Sequence, residues 1–201
     1  MKAIILIGVS GCGKSTYLKE TNDVRKRRKE VDIVQCSTDK YVDKFASDEG
    51  LSYAEAFDKI QELNLFKDYQ RLFYIDIEEQ IKNDVDFAID RTNLTVGYRK
   101  KLINDIRDMA DRHGKEVEVF GVSFDFPVNV IKERLKKRLT ETGKDIPDFV
   151  IDNQIKAFEK PTPEEGFNSL LEWAAPEVDW KEREKEATIA ELERDHREGN
   201  L

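Results

Sequence analysis

Gly8-Val9-Ser10-Gly11-Cys12-Gly13-Lys14-Ser15 follows directly on the apolar run Ile4-Ile5-Leu6-Ile7 and fills the spacing G-x-x-x-x-G-K-[ST]. A buried strand that ends in a glycine-rich turn and continues into the helix-like Ser15-Thr16-Tyr17-Leu18-Lys19-Glu20 aims several backbone N–H groups and a helix N-terminus at one point. Such a point binds phosphate. The residue types assign the roles: Gly8, Gly11 and Gly13 let the backbone curl around a β-phosphate, with Ser10, Cys12 and Thr16 in or beside the loop. Lys14 reaches the β/γ oxygens, and the Ser15 hydroxyl ligates Mg²⁺. The expected cofactors are ATP, or another NTP, and Mg²⁺.

Few other architectures can carry this element. Further apolar or β-branched runs lie at residues 31–36, 85–90 and 117–124, and helical patterns separate them. Tyr53, Ala56, Phe57, Ile60 and Leu63 share one helical face, and a second pattern runs from Tyr69, Leu72 and Phe73 to Ile81. Leu102, Ile103, Ile106, Met109 and Ala110 form a third stripe, stopped by His113-Gly114. Strand and helix in alternation predict an α/β fold: a P-loop NTPase or kinase-like parallel sheet flanked by helices. We expect one such domain over residues 1–175 and a charged helical extension over 176–201, where Lys181 to Glu198 is almost continuously charged.

Composition narrows the partners. The chain has 201 residues and a net charge of −8, which argues against a surface that wraps a long duplex but permits a local basic channel. The run Arg25-Lys26-Arg27-Arg28-Lys29 reads as a solvated face. With two cysteines, Cys12 and Cys36, there is neither a disulfide framework nor a C-x-x-C metal pattern. The absence of a long apolar stretch predicts a soluble cytoplasmic protein with no membrane partner, and the oligomeric state is left open.

In parallel sheets ligands bind beyond the carboxyl ends of the strands. The second run leads into Ser37-Thr38-Asp39-Lys40 and the third into Asp90-Arg91-Thr92-Asn93. Asp39 is the candidate general base for an acceptor hydroxyl, the alternative being a helix N-cap. Asp90 has three candidate roles: holding substrate, holding metal, or capping. Arg134 and Arg138, four residues apart on one helix face just before the polar segment 139–146, make a candidate lid that brings cations over a γ-phosphate.

The ordered set Gly8 to Thr16, Thr38-Asp39, Asp90-x-Thr92-Asn93, Arg134-x-x-x-Arg138, Ile146-Pro147 and Phe158-Glu159-x-Pro161-Thr162-x-x-Glu165-Gly166-Phe167 resembles the polynucleotide 5′-hydroxyl kinases, both the phage enzymes and the kinase domain of the animal repair enzyme. The resemblance spans residues 1 to about 172. It implies an ATP-dependent kinase acting in the cytoplasm, or in a host's cytoplasm if phage-encoded, on a nucleic acid with a 5′-hydroxyl end. It implies that Lys14, Asp39, Arg134 and Arg138 are catalytic, that Arg138 also contacts the donor nucleotide, and that Asp90, Arg91, Thr92 and Asn93 hold the acceptor. Thr38 and Val42 stand where phage members carry arginine, so Arg91, Arg99, Lys100 and Lys101 are expected to supply the acceptor's phosphate contacts. Asp84-Val85-Asp86-Phe87-Ala88 lacks the threonine of the D-x-D-x-T phosphatase signature, and no 3′-phosphatase activity is expected. A kinase of another hydroxyl (a hydroxymethylated base in DNA, a nucleoside or a small metabolite) and an acceptor-free NTPase module are the alternatives.

Overall fold

The computed structural model describes residues 1–174, and the expected helical extension over 176–201 lies outside them. In chain order the elements are β1 (Lys2–Ile7), α1 (Lys14–Arg27), β2 (Val34–Cys36), α2 (Asp39–Glu49), α3 (Tyr53–Glu62), α4 (Phe66–Lys82), β3 (Phe87–Asp90), α5 (Val96–Arg112), β4 (Glu118–Asp125), α6 (Val128–Thr142), α7 (Asp148–Ala157) and β5 (Ser169–Ala174). The strands form one parallel sheet in the order β2-β3-β1-β4-β5.

β1 is central because it is apolar on both faces, as a parallel strand covered by helices must be. Ala3, Ile5 and Ile7 pack with Phe73, Ile77 and Ile81 of α4 and with Leu102, Ile103 and Ile106 of α5. On the other face, Leu6 with Ala88 and Val122 packs against Leu18 of α1, Ile131 of α6 and Ile151 of α7. A separate small core of Val42, Ala46, Ala56 and Ile60 joins α2 to α3. Helices thus lie on both faces, as the alternation predicts. The chain runs from β1 to β2 and β3 on one side, then to β4 on the other, so the carboxyl end of β1 opens into a crevice.

Three local expectations are corrected. Only Val34–Cys36 of the run 31–36 is strand, because Val31, 72% exposed, lies before the edge strand's ladder begins. A fifth strand, β5, pairs with β4 where four strands were expected, since the short mixed run Ser169-Leu170-Leu171-Glu172-Trp173-Ala174 carries little periodic signal of its own. Of the α3 stripe only Ala56 and Ile60 are buried, whereas Phe57 and Leu63 are exposed. Phe57 instead turns toward the crevice.

Candidate active site

The loop after β1 is shaped by its glycines and by the helix that lies on it. Gly11 has φ +80°, and a Cβ there would come within 2.8 Å of the Leu135 side chain of α6. Gly13, at φ +106°, leads into α1 beneath the Arg134 guanidinium. Only glycine tolerates this combination of backbone and close approach. The loop is also tied to its neighbours: the Gly8 N–H donates to the Thr92 carbonyl at 2.9 Å, and the Ser10 N–H donates to Gln154 Oε1 of α7 at 2.7 Å. Lys14 is buried, its ammonium donating to the carbonyls of Gly8 and Val9 at 2.9 Å each.

A cleft of about 1310 Å³ opens from this loop across the carboxyl edge of the sheet. Ser10 to Thr16, Asp39, Asp90, Arg91, Thr92, Arg134 and Arg138 all line it. At its floor the Ser15 hydroxyl donates to Asp90 Oδ2 at 2.7 Å, and the Gln35 amide donates to the same oxygen at 2.6 Å. Arg134 reaches over the loop, donating to the Cys12 carbonyl at 2.9 Å and lying 4.3 Å from the centre of the Phe126 ring. The Cys12 thiol itself is buried, and burial pushes it up from its ordinary pKa against the opposing pull of Lys14.

Asp39 is the first residue of α2, and Thr38, not Asp39, is the N-cap. Its backbone N–H donates to Ser37 Oγ at 3.2 Å, and its side chain lines the cleft rather than capping the helix. The carboxylate meets water there, but between two walls of the cleft. That partial removal from bulk solvent pushes its pKa above the ordinary range, against Lys144 and with Asp90, while Arg138 pulls it down and Asp43 up.

The model of the AAA domain family, AAA_33, matches residues 4–161 of this chain. The chain belongs to that family. No curated protein sequence matches it significantly. Among solved structures, it is similar to a protein of Chloroflexus aurantiacus provisionally described as a kinase (TM-score 0.59, 14% identity, 100% of this chain and 97% of that one covered). It is also similar to Kti12 of Chaetomium thermophilum in complex with ADP-AlF3 (0.55, 16%, 94% and 97%). A sugar kinase of a Janibacter species is a third (0.53, 19%, 91% and 91%). These likenesses are in fold, which in this AAA domain is that of the P-loop kinases.

The structure separates the predicted residues into two groups. Asn93 does not line the cleft: it is 2% exposed, and its amide donates to the carbonyls of Leu6 at 2.7 Å and Arg91 at 3.2 Å, so it braces the β3 loop against β1. Arg99 is fully buried in a two-pronged pair with Glu165 at 2.6 and 2.7 Å, and so cannot meet an acceptor. Lys100 and Lys101 lie outside the cleft, the latter paired with Asp105 at 2.5 Å. Arg91 alone of the four expected cations lines it, donating to Gln70 and to the Tyr98 hydroxyl and lying over the Phe73 ring.

Several cleft residues had no signal in the sequence. Gln154 sits in an ordinary amphipathic helix, and Tyr53, Phe57, Asp58 and Gln61 belong to the α3 segment whose packing face and cleft face cannot be told apart by periodicity. Trp173, 4.9 Å from Tyr17, enters the cleft from β5. For Mg²⁺ the donor set fits: Ser15 offers a hard hydroxyl oxygen oriented by Asp90, and this ion binds through one or two protein oxygens together with phosphate oxygens. Among the described residues no helix is long and apolar enough to cross a membrane.

Proposed function

We propose that this AAA domain is an ATP-dependent kinase that transfers the γ-phosphoryl group to the 5′-hydroxyl end of a polynucleotide, with Asp39 as general base. The observation that carries the reading is the placement of Asp39 in one cleft with Lys14, Ser15 and Arg138. A hydroxyl acceptor needs a carboxylate at the site of attack, and an NTPase module does not. The cleft also exceeds the roughly 300–1,000 Å³ of a site for one small ligand, which suits two substrates bound together. A phosphoryl-transfer mimic in Kti12, whose fold is similar, agrees with a nucleoside triphosphate donor.

In this reading the loop from Gly8 to Thr16 cradles the triphosphate, Lys14 faces the β/γ oxygens and Ser15 holds Mg²⁺. When bound, the ion draws charge from the phosphate oxygens. Asp39 takes the proton of the acceptor hydroxyl as the new O–P bond forms and the bond from the γ-phosphorus to the β,γ-bridging oxygen breaks, releasing ADP. Arg134 and Arg138 offset the charge that redistributes over the γ-phosphoryl oxygens. Arg91 and Thr92, beside Asp90, receive the acceptor, and the aromatic pair under Arg91 holds its guanidinium in place.

One observation favours a second reading. Asp43, Asp58, Glu141 and Asp145 line the cleft with Asp39, Asp43 among them paired with a cation, Lys144; this acidic lining suits a neutral acceptor such as a nucleoside, a small metabolite or a hydroxymethylated base better than a chain of phosphates. Comparing kcat/KM for a nucleoside, a dinucleotide, a longer 5′-hydroxyl oligonucleotide and a hydroxymethylated duplex decides between them. The polynucleotide reading requires a rise with chain length. A flat series, or transfer confined to the modified base, overturns it, and ATP hydrolysis indifferent to every acceptor overturns the kinase.

A further inference from the structure

The two walls of the cleft come from separate parts of the chain: α6, α7 and their loop on one side, α2 and α3 on the other. One residue spans them. Lys144 lies two residues beyond the last turn of α6, in a turn fixed by Gly143 at φ +70° and by its own N–H donating to Thr142 Oγ1 at 3.3 Å. From there its ammonium meets the Asp43 carboxylate of α2 at 2.5 Å and lies 4.5 Å from the centre of the Tyr53 ring of α3. Only 21% of the Lys144 side chain is exposed. Among the described residues this is the only ion pair between the α6–α7 side and α2 or α3.

We propose that Lys144 is a positioning residue that latches the lid side of the cleft onto the acceptor side and holds its cation beside the base Asp39. The latch has two consequences. It closes the wall carrying Arg138 over the acceptor hydroxyl, and it fixes a positive charge where the base must be ionised to accept a proton. The groups around Asp39 are Asp43 on its own helix, Tyr53 from α3, Asp90 from the end of β3, Arg138 from α6 and Lys144 from the loop. Lys144 opposes the effect of burial on Asp39 more strongly than Arg138 does. Without it the Asp39 pKa rises further, so the ionised base is lost at a higher pH.

The role as a latch rests on the reading of Asp39 as a base, but its test does not need an acceptor. The Asp39 carboxyl carbon is titrated by NMR in the full chain, its signal assigned with Asp39→Asn, and compared among the native protein, Lys144→Met and Lys144→Arg. The expected result is a midpoint moved to higher pH in Lys144→Met and restored in Lys144→Arg. In steady-state transfer to whichever hydroxyl the protein accepts, Lys144→Met should lower kcat/KM by up to about fivefold where Asp39 is fully ionised, the worth of one partly exposed ion pair. The loss should deepen as pH falls while the KM for ATP stays unchanged. An unmoved midpoint in Lys144→Met, or a Lys144→Arg variant as shifted as Lys144→Met, overturns the latch. Absence of transfer to any 5′-hydroxyl end, with the midpoint shifted as expected, overturns the polynucleotide reading and leaves the latch standing.

Discussion

Replacing Arg99 by methionine should make the protein unfold far more readily while leaving acceptor binding by the folded protein unchanged, because Arg99 is sealed inside and never reaches an acceptor. Its guanidinium donates through Nε and Nη2 to the two oxygens of Glu165 and through Nη1 to the carbonyls of Asn93 and Leu94 at 3.0 and 2.7 Å. Its side chain is 0% exposed and that of Glu165 1%. In the variant, the Glu165 carboxylate keeps only the Thr162 N–H at 2.9 Å, the Asn93 carbonyl loses its donor, and the Leu94 carbonyl is left with the Glu159 N–H at 3.0 Å. Leaving one buried charge without its partner costs about 3–5 kcal/mol. That is a large share of the roughly 5–15 kcal/mol that holds a domain together. At about 2–4 °C per kcal/mol for a chain of this size, the midpoint of thermal unfolding should fall by roughly 6–20 °C. Urea denaturation of Arg99→Met, Glu165→Met and the double variant measures it. The double variant should recover much of the loss, since an apolar pair carries no unpaired charge. A loss below about 1 kcal/mol in Arg99→Met, or unchanged stability with weakened acceptor binding, would refute the buried pair and return Arg99 to the acceptor.

Three further variants probe the site. Lys14→Ala should abolish transfer and weaken nucleotide binding with the fold retained, as read by circular dichroism and nucleotide titration, because the ammonium serves the loop and not the apolar core. Asp39→Asn should lower transfer by roughly 100-fold or more with ATP affinity little changed. Because burial raises the Asp39 pKa, folding favours its protonated form, so its contribution to stability is present at low pH and is lost as pH rises through the folded pKa; the same variant should therefore melt no lower than the native protein at neutral pH. For the native protein the acidic limb of kcat/KM in the proposed transfer should lie above the ordinary carboxylate range and vanish in that variant. Arg138→Ala should cost at least about tenfold in kcat with a smaller effect on ground-state affinity; a change in melting temperature alone would make Arg138 a helix-surface residue.

The phosphate loop was legible because everything that makes it is contiguous: an apolar strand, glycines at the turn, a lysine and a hydroxyl at the head of a helix, all within Lys2 to Ser15. The parallel sheet was legible for a related reason, since a strand buried on both faces reads as a short continuous apolar run and a helix buried on one face as a stripe repeating every 3.6 residues, and both signals are local. The carboxyl-edge rule puts Asp39 and Asp90 on the cleft side of the sheet from their positions after β2 and at the end of β3 alone. What the sequence could not decide was which charged residues would face the cleft. Arg99 and Arg91 stand eight residues apart, both flanking the same loop, yet one is sealed inside with Glu165 and the other opens to the cleft. Asn93 adopts φ +50° and turns its amide back onto β1, and Lys144 finds Asp43 across the whole length of α3 to α6. These are pairings between groups distant in sequence, and a charge or an amide has no periodicity to announce its partner. Only the packing of α5 against the 159–166 segment, and of the α6–α7 loop against α2, selects which of them are desolvated, which are paired and which remain to meet a ligand.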